Sequence, residues 1–223
     1  MKIRTTPEYK NPISKYVHEY MYWKKQQVIE GRLSNSQYEN LFTERFSVDK
    51  DFYSGKRILD IGCGPRGSLE WADNAAQRVG LDPLAEAYEF IIQGSHEMEY
   101  VPDFAEKISF ENDHFDIVTS INSLDHVDDL GVVIGEMKRV VKPGGHIFIA
   151  AEICKDKKPC EPSPVNWDLA ELFEDEFEVM DTFCFSFYKG VNRSIQQGEI
   201  YDHDNPQTET GVLRLRLVKK QDC

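Results

Sequence analysis

The sequence has few cysteines, and none of them are spaced as a pair. Five cysteines occur among 223 residues, an odd number that includes no Cys-x-x-Cys motif. Structural zinc sites and disulfide frameworks rest on paired cysteines, so this spacing disfavours both. We therefore expect reduced thiols, as in a cytoplasmic protein, and no bound metal.

Long apolar runs are also missing. The longest, such as 146–151, have the length of a strand, whereas a membrane-spanning helix needs about 20 apolar residues. Residues 1–6 lack the apolar stretch of a signal peptide. We expect neither a membrane span nor a signal peptide.

Basic residues are outnumbered by acidic ones. Lys and Arg total 26 against 39 Asp and Glu, which gives a formal net charge of −13. A field of this sign repels phosphate backbones and so disfavours DNA or RNA as a partner. We expect a small molecule as the partner instead, and no motif indicates an oligomeric state.

Hydrophobic periodicity divides the chain into two predicted parts. Residues 1–50 are predicted to form an N-terminal helical arm or lid, with one helix over 13–30 and a second from 34–36 through Phe42. Residues 51–223 alternate strands with helices, which predicts an α/β fold with a doubly wound, mostly parallel sheet. The predicted strands are 57–61, 79–82, 99–101, 115–120, 146–151, 177–188 and 212–218, and the predicted helices are 68–78, 84–93 and 130–141.

The C-terminal part of the chain has a different pattern. Strands 177–188 and 212–218 are predicted to pair as an antiparallel hairpin, and the second alternates apolar with basic residues, which predicts one face in solvent. The polar stretch 190–211 between them is predicted to be a long loop. Trp167 and the aromatic residues of 183–188 are predicted to line a substrate pocket.

A glycine-rich turn follows the first predicted strand. Gly62, Gly64 and Gly67 satisfy Gly-x-Gly-x-x-Gly, a spacing that lets a backbone approach a ligand closely. Asp82 lies twenty residues after Gly62, at the end of the second strand, where a carboxylate can accept both ribose hydroxyl hydrogens of an adenosine. Together these features predict a nucleoside-containing cofactor.

The charge before the turn discriminates between two such cofactors. Asp60 stands two residues before Gly62, where it would repel the pyrophosphate of a dinucleotide. It would attract an ammonium or a sulfonium, and S-adenosylmethionine carries both and has no phosphate. The pattern therefore favours this methyl donor over NAD.

An ordered set of motifs over 57–151 resembles the class I S-adenosylmethionine-dependent methyltransferases of the type 11 group. The motifs are Ile-Leu-Asp-Ile-Gly-Cys-Gly at 58–64, Gly-Leu-Asp-Pro at 80–83, Phe-Asp-Ile-Val at 115–118, Leu-Asp-His-Val at 124–127 and Val-Lys-Pro-Gly-Gly at 141–145. The resemblance implies a Rossmann-like sheet of order 3-2-1-4-5-7-6. It also implies S-adenosyl-L-methionine as cofactor and S-adenosyl-L-homocysteine as product.

The same resemblance implies where the cofactor binds. The first turn would hold the methionine end of the cofactor, and the end of the second strand would hold its ribose and adenine. A later segment would contact the edge of the adenine, and the end of the fourth strand would lie beside the methyl group. These residues are Asp60, Gly62, Cys63, Gly64, Pro65, Asp82, Pro83, Leu84, Ala105, Glu106, Asn122 and Ser123. Many relatives have Asp where this chain has Phe104. Tyr38, from the aromatic-rich N-terminal helices, is a further predicted contact on the cofactor side.

Asp125 and His126 follow the fourth predicted strand at its carboxyl end, where open α/β sheets place their active sites. His126 could remove a proton from the attacking group, and Asp125 could orient it. Alternatively His126 packs beneath the strand–helix junction, and positioning alone suffices for methyl transfer. Asp125 and Glu152 only loosely imitate the magnesium ligands of catechol-type methyltransferases, so we predict no metal.

The sequence thus predicts an S-adenosylmethionine-dependent methyltransferase acting on an O, N or C nucleophile of a small molecule, such as a sugar or natural-product intermediate. Two alternatives stay open. One is a catalytically silent methyltransferase fold that acts as a binding subunit. The other is an NAD-dependent oxidoreductase that uses the same glycines.

Overall fold

The computed structural model describes residues 12–92, 94–153, 162–205 and 210–221, with side chains from Lys15 onward. The helices are α1 (Pro12–Glu30), α2 (Tyr38–Phe42), α3 (Ala85–Tyr88), α4 (Leu130–Val140) and α5 (Val191–Gln197). The strands are β1 (Arg57–Ile61), β2 (Gln77–Leu81), β3 (Glu99–Val101), β4 (Phe115–Ile121), β5 (Val141–Ile153), β6 (Phe177–Ser186) and β7 (Gly211–Lys219). Within the described ranges, no helix is long and apolar enough to cross a membrane.

The seven strands form one sheet in the order β3-β2-β1-β4-β5-β7-β6, which confirms the predicted topology. The first five strands are parallel, and β7 enters antiparallel between β5 and β6. The central strands are buried on both faces, which explains their nearly continuous apolar character. The carboxyl ends of β1, β2 and β4 therefore meet at one edge of the sheet.

The predicted helix over 68–78 is absent. The chain instead makes a short 3-10 turn at Gly64–Arg66 and continues through turns until β2 begins at Gln77. Gly67, with a left-handed φ of 73°, ends the 3-10 turn, and the following backbone makes only three-residue turns, such as Ala72 N to Leu69 O. The segment's end is tied to the start of β1, where Gly55 N donates to Asn74 O. The predicted helix over 84–93 is likewise reduced to α3.

The prediction that one face of β7 is exposed to solvent is wrong. Arg214 is only 5% exposed, and its guanidinium lies 4.1 Å from the ring centroid of Phe183 and pairs with Asp181 at 2.6 Å. The cover comes from the N-terminal part of the chain, where Phe46 stacks on Phe148 of β5 at 4.8 Å. A residue within the predicted arm thus belongs to the core.

The stretch 190–211 is not only a loop, because it contains α5. Val191, Ser194 and Ile195 are buried on one side of this helix. The Ser194 hydroxyl donates to Gly190 O and accepts from Tyr188 N, which fixes the entry into the helix. The spacing of Val191 and Ile195 by four residues is the weak sequence signal for this helix.

Candidate active site

A cavity of about 910 Å³ opens at the carboxyl ends of β1, β2 and β4, and α1 lies across it. It is lined by the glycine turn, the ends of β2 and β4, the 104–106 segment, α1 and the start of α5. The structure brings most of the predicted site residues to this cavity. They are Tyr38, Gly62, Cys63, Gly64, Asp82, Pro83, Leu84, Ala105, Glu106, Asn122, Ser123 and His126.

The glycines of the turn are required by protein neighbours. Gly62 has φ 73°, and a Cβ there would lie 2.3 Å from the Cβ of Ser123. Gly64 has φ 58°, and a Cβ there would lie 3.0 Å from the ring of Trp23 on α1. A side chain at either position would therefore displace the loop after β4 or the covering helix.

Asp82 is the carboxylate at the end of β2, and it is 7% exposed. One of its oxygens accepts from Gly64 N at 3.1 Å and the other from Leu84 N at 2.9 Å. Burial raises the pKa of Asp82 to about 6, although these two hydrogen bonds favour the ionised form. Each oxygen retains acceptor capacity toward the cavity, as two ribose hydroxyls would need.

Asp60 does not line the cavity. It lies behind the glycine turn, 2% exposed, and accepts from the hydroxyls of Ser68 and Thr119. Burial raises the pKa of Asp60 to about 6. Pro65 is also buried within the 3-10 turn rather than exposed to the cavity. Both residues thus support the turn from within.

The segment after β4 shapes the wall of the cavity. Asn122 has φ 57°, a left-handed conformation that is rare outside glycine, and its N–H donates to Ala150 O at 2.7 Å. Ser123 Oγ donates to Ile61 O at 2.7 Å. These bonds tie the ends of β1, β4 and β5 together, so the strained residue is held in place.

The predicted catalytic pair also lies here. His126 lines the cavity with its side chain 30% exposed, and its Nε2 is 3.8 Å from Oδ1 of the buried Asp125. Asp125 itself is behind the cavity wall. Lys15 of α1 donates to the His126 carbonyl oxygen at 2.8 Å, which fixes the backbone at this position.

Helix α1 is fastened over the cavity at both ends. Near its start, Lys15 Nζ contacts Asp128 at 2.7 Å. At its end, Glu30 forms a two-pronged ion pair with Arg66 of the glycine turn, at 2.8 and 2.5 Å. The Arg66 guanidinium also lies 5.3 Å from the Trp23 ring centroid.

One part of the cavity wall was not among the predicted site residues. Lys189, Asn192 and Arg193, at the start of α5, line the cavity. Trp167 and the 183–188 aromatics do not line it, and Trp167 instead packs against Tyr201 at 4.4 Å between ring centroids. Among the described residues, no group of three or more His, Cys, Asp or Glu side chains is placed to hold a metal ion.

Residues 59–149 match the family model for a methyltransferase domain. The chain is 39% identical over 102 residues to the ubiquinone biosynthesis O-methyltransferase of Aliivibrio fischeri (strain MJ11). It is 36% identical over 101 residues to that of Yersinia pestis (strain Pestoides F). The alignments cover 43% of this chain and 44% and 42% of these relatives, so the chain matches less than half of their length.

Solved structures share the fold. The cyclase SpnF superposes with a TM-score of 0.60 and 22% identity, covering 82% of this chain and 81% of that one. An S-adenosylmethionine-dependent methyltransferase from Mesorhizobium loti superposes with a TM-score of 0.53 and 18% identity, covering 75% and 92%. At this level of identity the likeness is one of fold.

Proposed function

We propose that this chain methylates a nucleophilic O, N or C atom of a small molecule. The proposal starts from its membership, through residues 59–149, in the class I S-adenosylmethionine-dependent methyltransferase family. The observation that carries the proposal is the cavity in which Asp82 follows β2 beside the glycine turn, with His126 in the short 3-10 turn after β4. The names of the relatives favour an oxygen nucleophile.

The residues at the cavity fit the cofactor of this family, S-adenosylmethionine. Asp82 is a buried acceptor for ribose hydroxyls, and together with Asp60 it makes this region attractive to a cation. No long helix follows β1, so the amide array that stabilises a dinucleotide's pyrophosphate is absent from the described turn. When bound, S-adenosylmethionine supplies a methyl group already activated on a positively charged sulfur.

The chain's own residues then have distinct tasks. Asn122 and Ser123 shape the wall beside the reacting centre, and α1 lies across the cavity. His126 accepts the proton that the acceptor's hydroxyl or amine loses as its lone pair attacks, and the carboxylate of Asp125, 3.8 Å from Nε2, favours the imidazolium that forms. Because the methyl group is already activated, positioning is expected to contribute more to the rate than this proton transfer.

Calorimetric titration with S-adenosylmethionine, S-adenosylhomocysteine and NADH tests the cofactor, and a panel of small phenols, amines and sugars tests turnover. We expect both sulfur ligands to bind and NADH not to bind. Absence of binding by both sulfur ligands would refute the proposal. Binding without turnover across the panel would favour a silent binding subunit, an outcome that matters because the cyclase SpnF has the same fold.

We further propose that α1, within the predicted arm of residues 1–50, acts as a lid on a methyltransferase domain of residues 51–223, whereas the later part of the arm packs in the core through Leu41, Phe42 and Phe46. The support is that α1 lines the cavity and is held by two ion pairs, Lys15–Asp128 and Glu30–Arg66. Entry and release of the cofactor would then require both contacts to open.

Glu30→Gln is expected to weaken S-adenosylhomocysteine binding about 3- to 10-fold, because it removes the ion pair that holds the end of α1. Isothermal calorimetry of wild type and variant measures the change. Asp73→Asn is the matched control, since it makes the same change in charge and weakens an exposed pair with Lys50 away from the cavity. Equal affinity of the Glu30 variant and the wild type would contradict the lid.

The thiols favour a reducing, cytoplasmic setting for this activity. Cys63 and Cys184 are free, and Cys63 is 3% exposed in the glycine turn. Burial raises the pKa of Cys63 well above its usual range, so this thiol is held in its neutral form.

A further inference from the structure

Each carboxylate that lines the cavity either lies near Asp82, at the end of the cavity where we place the adenosine, or is bound by another group. Glu19 stands near enough to Asp82 to add to the rise in pKa that burial causes there. Glu30 is paired with Arg66. Glu106 accepts from the backbone N–H groups of 128 and 129, at 2.7 and 3.3 Å. These four acidic side chains leave the rest of the cavity wall without acidic groups.

Two cations occupy that remaining wall. Lys189 and Arg193 both line the cavity, and no carboxylate in the described part of the chain forms an ion pair with either. Lys189 is held at φ 53°, a conformation that costs free energy outside glycine. Asn192, which lies between them in the sequence, also lines the cavity.

The fold places these cations on the acceptor side. Val191 and Ile195 bury one side of α5, and this helix packs on β5, β6 and β7, which lie beyond β4 in the sheet. Asp82 lies at the end of β2, which is separated from β4 by β1. The start of α5 therefore stands across the cavity from the ribose site.

Resting on the proposed function, we propose that the methyl acceptor carries an anionic oxyacid group, a carboxylate or a phosphate, bound by Lys189 and Arg193. A net charge of −13 repels an anionic small molecule at long range. Local cations with hydrogen-bonding heads offset that repulsion and fix the orientation of the anion. The acceptor's nucleophilic atom would then face Asn122 and His126.

Matched probes test this with the full chain saturated by S-adenosylhomocysteine. The probes are 3,4-dihydroxybenzoate, its neutral amide and phenyl phosphate, titrated by calorimetry. We expect at least one anionic probe to bind about 10-fold or more tightly than the amide, and the better anion identifies the source. Lys189→Gln/Arg193→Gln is expected to abolish this difference, whereas Lys50→Gln/Lys220→Gln, with the same change in charge at positions away from the cavity, should keep it.

Equal binding of the amide and both anions, no binding of any probe, or discrimination retained by the Lys189/Arg193 variant would each overturn the anionic acceptor. The affinity for S-adenosylhomocysteine separates this failure from failure of the proposed function. If the wild type binds that ligand but does not discriminate between probes, only the anionic site is refuted. If it does not bind that ligand, the methyltransferase proposal itself fails.

Discussion

Asp82→Ala is expected to weaken S-adenosylhomocysteine binding about 10- to 150-fold, or roughly 1.5–3 kcal/mol, because the ribose hydroxyls lose a charged acceptor. Asp82 is 7% exposed, so water replaces that acceptor poorly. Isothermal calorimetry of the purified variant measures the change. Unchanged affinity would remove Asp82 from the binding site.

The same carboxylate also holds the turn, since it accepts from Gly64 N and Leu84 N. Asp82→Asn separates the two roles because it retains one side-chain oxygen and the shape of the residue. An affinity loss in both variants, with melting temperatures close to the wild type, would assign the effect to the ligand. Asp73→Ala, at an exposed carboxylate, controls for the change in net charge.

The raised pKa of Asp82 gives this interaction a pH dependence. Burial raises the pKa values of Asp82 and Asp60 to about 6. Protonation of either carboxyl therefore stabilises the ligand-free folded protein relative to the unfolded chain. This stabilisation is complete below the ordinary value near 3.8 and is lost as the pH rises through about 6. Ligand binding needs the ionised form of Asp82, and the affinity should therefore fall as the pH drops below 6. Asp82→Asn should remove the Asp82 part of that dependence.

The sequence predicts those parts of the fold that follow from local patterns. The strand order was implied by a series of short motifs, and α4 was visible from apolar residues at helical spacing, of which Val133 and Met137 are buried. Asp82 was identified because a carboxylate at the end of a second strand has a definite chemical use. In these cases the residue and its strand context lie within a few positions of one another.

The errors arise where distant residues decide the outcome. Arg214 alternates with leucines, a pattern typical of a strand with one solvent-exposed face. Phe46, which is distant in sequence, nevertheless covers it. Gly62 fits a ligand-approach motif, whereas Ser123 is the group that leaves no room for a side chain there. The start of α5 reaches the cavity only because β6 and β7 form its hairpin framework. Periodicity within one segment carries no information on such partners.

His126→Ala is expected to lower kcat about 100-fold, with little change in S-adenosylhomocysteine affinity, because it removes the group that accepts the acceptor's proton. The substitution leaves the fastening of α1 intact, since Lys15 contacts the backbone oxygen of residue 126 and not its ring. Steady-state rates with the acceptor found in the panel give kcat, and the titration gives the affinity.

Chemical rescue by added imidazole distinguishes whether the His126 ring acts as a base or only packs. The variant leaves a space beside Asp125 that faces the cavity, so added imidazole should restore part of the rate of His126→Ala if the ring acts as a base. Asp125→Asn should lower kcat less, about 10-fold, because it removes only the nearby charge that favours the imidazolium. A normal rate in His126→Ala would assign the ring to packing and leave positioning as the source of catalysis. A lower rate without rescue, joined to a lower melting temperature, would point to the same packing role.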